Sequence, residues 1–213
     1  MMITALEPQR RKPKRWSVFL DGEFAFGIDE VDMLYYKLAV NSEITKERLD
    51  FLKESLLAAK ARDRALAFLG HKARTRGEVE SKLKEDGYPE DLIARTLELL
   101  TGYGYVDDLG YAREYIEQRS NAGYGFQQIR WNLEQKGIDA AVLEEAFEHS
   151  VAREEEAVLK ALLSKTRGEV LTAPAKKMKL YEFLLRRGFP SELARAAMKK
   201  TGEDLGEDWP ETE

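Results

Sequence analysis

Three short segments of the chain share one form: Leu83-Lys84-Glu85-Asp86-Gly87-Tyr88, Leu133-Glu134-Gln135-Lys136-Gly137-Ile138 and Leu184-Leu185-Arg186-Arg187-Gly188-Phe189. Each is a leucine, three mostly charged or polar residues, a glycine and an apolar residue, and the glycines lie 50 and 51 residues apart. Apolar side chains recur at matching offsets, with Leu92, Val142 and Leu193 five residues past the glycines and Leu97, Phe147 and Met198 ten past. A helix closed by glycine in the left-handed conformation, then a short turn and another amphipathic helix, produces this pattern. An apolar helix precedes each segment, so the unit is three helices. A recurring unit of this length builds its core in pieces. The spacing therefore predicts a mainly α protein: tandem three-helix repeats in an elongated array, with a small N-terminal antiparallel hairpin or sheet.

The stretch from Gly102 to Ala112 joins the first two repeats. Gly102 and Gly104 stop one helix, and Asp107 or Asp108 starts the next by accepting its free N–H groups at the positive end of the helix dipole. Half of a metal site is the competing reading of paired aspartates, and no third carboxylate or histidine stands at useful spacing. The repeats then span residues 61–107, 108–150 and 151–200. In the first, Thr75-Arg76-Gly77-Glu78 has the form of a capping box for the middle helix. In the second, Asp139 is the expected cap of the last helix. In the third, the middle helix is expected over residues 175–187, after a connection at 168–174 unlike those of the other repeats.

Residues 1–60 form an extension. Residues 1–7 read as a strand and 9–14 as a basic, proline-containing linker. Trp16 to Leu20 and Glu23 to Gly27 flank Asp21-Gly22, a strong hairpin signal because Asp-Gly accepts the positive φ angles of a two-residue turn. Helices follow at 29–34 and after Thr45. Residues 201–213, acidic and nearly free of apolar side chains, are expected to be disordered.

Composition narrows the function classes. There is no cysteine among the 213 residues, which removes disulfides and thiolate metal sites. No apolar run is long enough to span a bilayer, so a soluble, cytoplasmic, monomeric protein is expected. The two histidines, His71 and His149, lie in different repeats without a nucleophile or metal partner nearby. Gly102-Tyr103-Gly104 and Gly123-Tyr124-Gly125 are lone glycine pairs of the kind helix junctions produce. Neither an enzyme nor a cofactor or metal site is expected.

The net charge of −5 is unevenly spread. Residues 151–200 carry twelve basic and six acidic side chains, whereas residues 108–150 carry four and eight. At about 100° per residue, Lys176, Lys179, Arg186 and Arg187 fall on one arc of the third repeat's middle helix, with Phe183 among them. Such a face suits an acidic protein groove or a phosphate backbone, and it is also what an ordinary solvated helix face looks like. Trp131 points away from Ile129 and Leu133. It either anchors a partner or packs between modules, the use that repeat architecture favours.

Gly104-Tyr105-Val106-Asp107-Asp108 followed by Tyr111-Ala112, the run 125–129, and Leu133 through Lys136-Gly137-Ile138, set in tandem three-helix units, resemble the RecX family of bacterial recombinase regulators. The resemblance covers about residues 60–200; the connection at 168–174 and the acidic tail depart from it. It implies a protein without catalytic residues. Such a protein binds the RecA recombinase in its filament on DNA and restrains ATP hydrolysis, strand exchange and coprotease activity. The residues expected to meet that filament are Lys176, Lys179, Arg186 and Arg187 of the third repeat with Arg119, Arg130 and Trp131 of the second. A direct DNA-binding protein of helix-turn-helix-like modules is the alternative.

Overall fold

The computed structural model describes residues 1–10, 12–148, 151–167 and 173–202. The expected disorder of the tail, beyond its first two residues, and most of the 168–174 connection lie outside them, as does His149. The described chain divides into two compact units, Met1–Arg64 and Ala65 onward.

In the first unit, β1 (Ile3–Gln9), β2 (Lys12–Leu20) and β3 (Glu23–Asp29) form an antiparallel sheet in the order β1-β2-β3. The hairpin at Asp21-Gly22 is as expected, with φ of 48° and 90° at its two turn residues. The basic stretch expected to be a linker is instead largely strand. Its residues have no alternation to announce one, but β1 supplies the ladder, through Pro8 opposite Trp16 and Gln9 opposite Lys12. Ile3, Val18, Leu20 and Ile28 are buried with Met33 of α1 (Glu30–Tyr35) and Leu49, Leu52 and Leu56 of α2 (Lys46–Leu69). Thr45 caps α2, its hydroxyl accepting from the Arg48 N–H at 3.2 Å.

The second unit holds three tandem three-helix modules. The end of α2 with α3 (Arg76–Glu85) and α4 (Glu90–Gly102) makes the first; α5 (Asp108–Asn121), α6 (Phe126–Glu134) and α7 (Ala140–Phe147) the second; α8 (Val151–Thr166), α9 (Pro174–Arg186) and α10 (Ser191–Lys200) the third. Each has its own core. Val79, Leu83, Ile93, Leu97 and Leu100 fill the first, Ile116, Ile129, Leu133, Leu143 and Phe147 the second, and Leu162, Leu180, Tyr181, Leu184, Phe189 and Met198 the third.

The repeated six-residue segment closes α3, α6 and α9 identically. Gly87, Gly137 and Gly188 have φ of 82°, 75° and 85°. Beyond each, the apolar residue's N–H returns to the leucine carbonyl: Tyr88 to Leu83 at 3.1 Å, Ile138 to Leu133 at 3.3 Å, Phe189 to Leu184 at 3.2 Å. This is the double-bonded C-terminal turn that needs a left-handed residue, and its flanking leucine and apolar residue both enter the module core.

Two of these turns also dock on the module before them. A β-carbon on Gly77, in the first turn of α3, would lie 2.7 Å from the Lys136 carbonyl oxygen and 2.8 Å from Gly137 Cα. A β-carbon on Gly125, at the start of α6, would run into the Gly188 carbonyl. Gly87 has no preceding module and meets nothing within 4 Å. Gly77→Ala should therefore lower stability by about 1–3 kcal/mol, since the obstacle is backbone. Gly102→Ala, where a β-carbon meets open space, should be neutral or stabilising by up to ~1 kcal/mol. Urea unfolding of the full chain measures both.

Candidate functional site

The seams between modules decide which charged residues are available. At the first seam, Thr75 and Glu78 form the expected capping box on α3, and Thr75 also donates its hydroxyl to the Lys136 carbonyl at 2.5 Å. Lys136 reaches back to Glu78 at 2.9 Å. Burial alone would raise the Glu78 carboxyl pKa. The Lys136 ammonium and Thr75 N–H bonded to it, with Arg74 nearby, outweigh burial and hold it below the ordinary range.

Asp107 and Asp108 part company. Asp107 caps its own helix α5, accepting from the Gly110 N–H at 2.9 Å. Asp108 turns to the previous module and accepts from the Arg76 N–H at 2.7 Å, at the start of α3. Glu154 of α8 does the same for α6, accepting from the Phe126 N–H at 2.7 Å. Both middle helices thus receive a carboxylate from the following module at their positive ends. Burial raises the pKa of both carboxyls against the bonds they accept, and for Asp108 the nearby Asp139 and Asp107 push the same way. Asp139, the expected cap of α7, takes the N-cap position but makes no side-chain cap bond. Among the described residues no group of acidic side chains or histidines is arranged to hold a metal, and no helix is long and apolar enough to cross a membrane.

The second seam uses Arg187. Its guanidinium donates to the Ala122 and Gly123 carbonyls at 2.8 and 3.1 Å, at the end of α5, and lies 4.4 Å over the Tyr124 ring. The Gly125 N–H donates to the Arg187 carbonyl at 2.8 Å. Arg187 therefore holds modules two and three together, whereas its place on the α9 arc reads as a surface cation. Lys176, Lys179 and Arg186 are exposed, Arg186 with a loose 3.7 Å pairing to Glu182.

The second-repeat candidates also separate. Arg130 is paired with Glu144 at 2.7 Å and lies over Phe147. Arg119 is half-buried against the rings of Tyr124 and Tyr115. Trp131 is 55% exposed, so packing between modules is not its role: the seam forms at the two ends of α6, at Gly125 and Gly137, and leaves this face uncovered. Sequence reasoning missed Lys165, exposed on α8, whose ammonium lies 5.1 Å from the Phe183 ring. Nothing local to α8 marks it.

Comparison with known proteins follows the same module boundaries. Four family models match: the regulatory protein RecX N-terminal domain over residues 1–45, and the first, second and third three-helix domains of RecX over 61–100, 107–146 and 154–198. The regulatory protein RecX of Levilactobacillus brevis is 34% identical over 196 residues, covering 91% of this chain and 73% of that one. That of Clostridium beijerinckii is 30% identical over 202 residues, covering 93% and 94%. A crystal structure of a regulatory protein RecX superposes with a TM-score of 0.68 at 27% identity, covering 93% of this chain and 98% of that one. The structure of RecX from Lactobacillus salivarius gives 0.60 at 26% identity, covering 69% and 97%.

The seam carboxylates lead to a pH-dependent outcome. Asp108→Ala leaves the Arg76 N–H without its acceptor and should cost about 1 kcal/mol, as lost helix caps do. Asp108→Asn keeps an acceptor and removes the buried charge, so it should be much milder at neutral pH. Because the folded pKa of Asp108 is raised, the folded state holds this proton more tightly. Its contribution to stability therefore falls as pH rises from the unfolded carboxyl value, about 4, through the folded one, and is flat above both. Urea unfolding across acid to neutral pH should show that part of the slope missing in Asp108→Asn.

Proposed function

We infer the function from family and surface together: the chain belongs to the RecX family of regulatory proteins, and we propose that it regulates the RecA recombinase. In this reading it binds the RecA filament on DNA and restrains ATP hydrolysis, strand exchange and coprotease activity. The observation that carries the reading beyond family membership is the exposed cationic face of α9, where Lys176, Lys179 and Arg186 stand clear of the seam. Arg119 and the exposed Trp131 of module two add a second contact, so that one molecule bridges neighbouring protomers. Contacts spread over modules gain avidity without a strong single site. The action is on the cytoplasmic recombinase, by a monomer, and needs neither cofactor nor catalytic group.

The second reading is direct DNA binding, which the same cations favour. The two differ in what the chain must touch. Inhibition of RecA ATPase on single-stranded DNA at concentrations that leave the same DNA unbound in the absence of RecA is the expected result. Inhibition only at DNA-saturating concentrations, with binding that weakens steeply as salt rises, would replace the first reading with the second. Charge reversal of Lys176, Lys179 and Arg186 to glutamate should weaken inhibition at least tenfold. Arg187 is left intact because its loss would open the seam.

A further inference from the structure

Arg119, Tyr124, Arg187, Phe183 and Lys165 make a continuous stacked row across the seam between modules two and three. The Arg119 guanidinium lies 4.3 Å from the Tyr124 ring centre, Arg187 lies 4.4 Å from the same ring and 4.9 Å from Phe183, and Lys165 lies 5.1 Å from Phe183. Three cations thus alternate with two rings drawn from α5, the α5–α6 turn, α8 and α9.

What sets these cations apart is how they are balanced. Arg113, Arg130, Arg153 and Arg186 of the same modules each have a carboxylate within 4.0 Å. Among the described residues, Arg119, Arg187 and Lys165 have none. Arg187 is bonded only to backbone carbonyls, and the Arg119 Nε is buried without a hydrogen-bond partner. A guanidinium stacked on a ring keeps N–H groups free in its plane for a planar oxyanion. Among the described residues, the row therefore carries three positive charges with no carboxylate to balance them.

The surroundings choose between the oxyanions. Module two carries eight acidic and four basic side chains over residues 108–150, so the protein field around the row is acidic on balance, although Glu114 and Glu117 stand on faces of α5 turned away from Arg119. A nucleic acid, with one charge per about 1.7 Å of duplex axis, brings a dense run of phosphates into that acidic module, against only three cations. Both rings are already taken up by cations of the row, so neither is free to stack a base. A polypeptide with separated carboxylates avoids both costs. In extended chain, alternate side chains stand about 7 Å apart on one face, a pitch on the scale of the row. We propose that the row Arg119–Tyr124–Arg187–Phe183–Lys165 is a carboxylate-recognising surface that takes an acidic, extended peptide segment of a partner protein. Only the identity of that partner as the recombinase rests on the function proposed above.

The test uses the full chain and two probes of equal charge, a fluorescein-labelled peptide alternating serine and glutamate and an oligothymidine, titrated by fluorescence anisotropy. The expected result is tighter binding of the peptide, weakened about tenfold by Arg119→Gln and severalfold by Lys165→Gln, with Lys165→Arg unchanged. Lys165 is exposed, so its variants keep the test valid if Arg119→Gln unfolds the chain. Carbodiimide should also join the Lys165 amine to a peptide carboxylate, a product that Lys165→Arg loses while still binding. Tighter oligothymidine binding lost in the same variants would overturn the proposal in favour of a phosphate track. Binding of both probes that ignores these substitutions would reduce the row to packing. Repeating the Lys165 series with RecA filaments separates the two claims: wild-type chain that ignores filaments refutes the partner's identity, and leaves the peptide result to decide the surface.

Discussion

Where Gly137 meets Gly77, and where Gly188 meets the start of α6, two backbones approach more closely than β-carbons would permit. The contact works because both partners are helix ends with unspent hydrogen-bonding groups. The closing turn of one middle helix presents carbonyls, and the opening turn of the preceding one presents N–H groups. Gly125 and Gln127 donate to the Arg187 and Gly188 carbonyls at 2.8 and 3.3 Å. The next module's first helix completes the arrangement with a carboxylate, Asp108 or Glu154. Each seam is thus a helix N-terminus satisfied by groups from another module, and three separate small cores become one unit through it.

That constraint determines the electrostatics of the surface. The residue before the glycine is a cation in modules two and three, and in both it is turned back across the seam: Lys136 to Glu78, Arg187 to the end of α5. In the first module the same position is Asp86, and no module precedes it. Cations at these positions are held by the assembly of modules. The other cations of the α9 arc, Lys176, Lys179 and Arg186, remain exposed. The stacked row shares Arg187 with the first set, and in it rings rather than carboxylates support the guanidiniums. Ring contact keeps a cation ordered without neutralising it, which is what a surface meant for an outside anion requires.

Much of this architecture can be read locally. The leucine, the glycine and the apolar residue after it are all the closing turn needs, so the ends of α3, α6 and α9 follow from six residues each. Thr75 and Glu78 form their capping box three residues apart for the same reason, and Asp21-Gly22 turns its hairpin by its own φ preferences. Readings failed where a distant partner intervened. The strand within residues 9–14 depended on β1, and Trp131 stayed exposed because the seam formed at the ends of its helix. The cap of α5, read as Asp107 or Asp108, is Asp107, while Asp108 turns to another helix.

The sequence alone therefore determined the three-helix repeat, its threefold occurrence and the family, because a helix stop is written in the φ angle that glycine allows and the apolar contacts beside it. Only the tertiary structure decided which cations are spent in the seams and which are free. The Thr75 and Lys136 groups that meet are 61 residues apart, and Arg187 is 64 from Gly123. At such separations no periodicity links the partners. Lys136 and Arg187 look in sequence like any other solvated charge, and it is the backbone approach of one module to the next that gives each its partner.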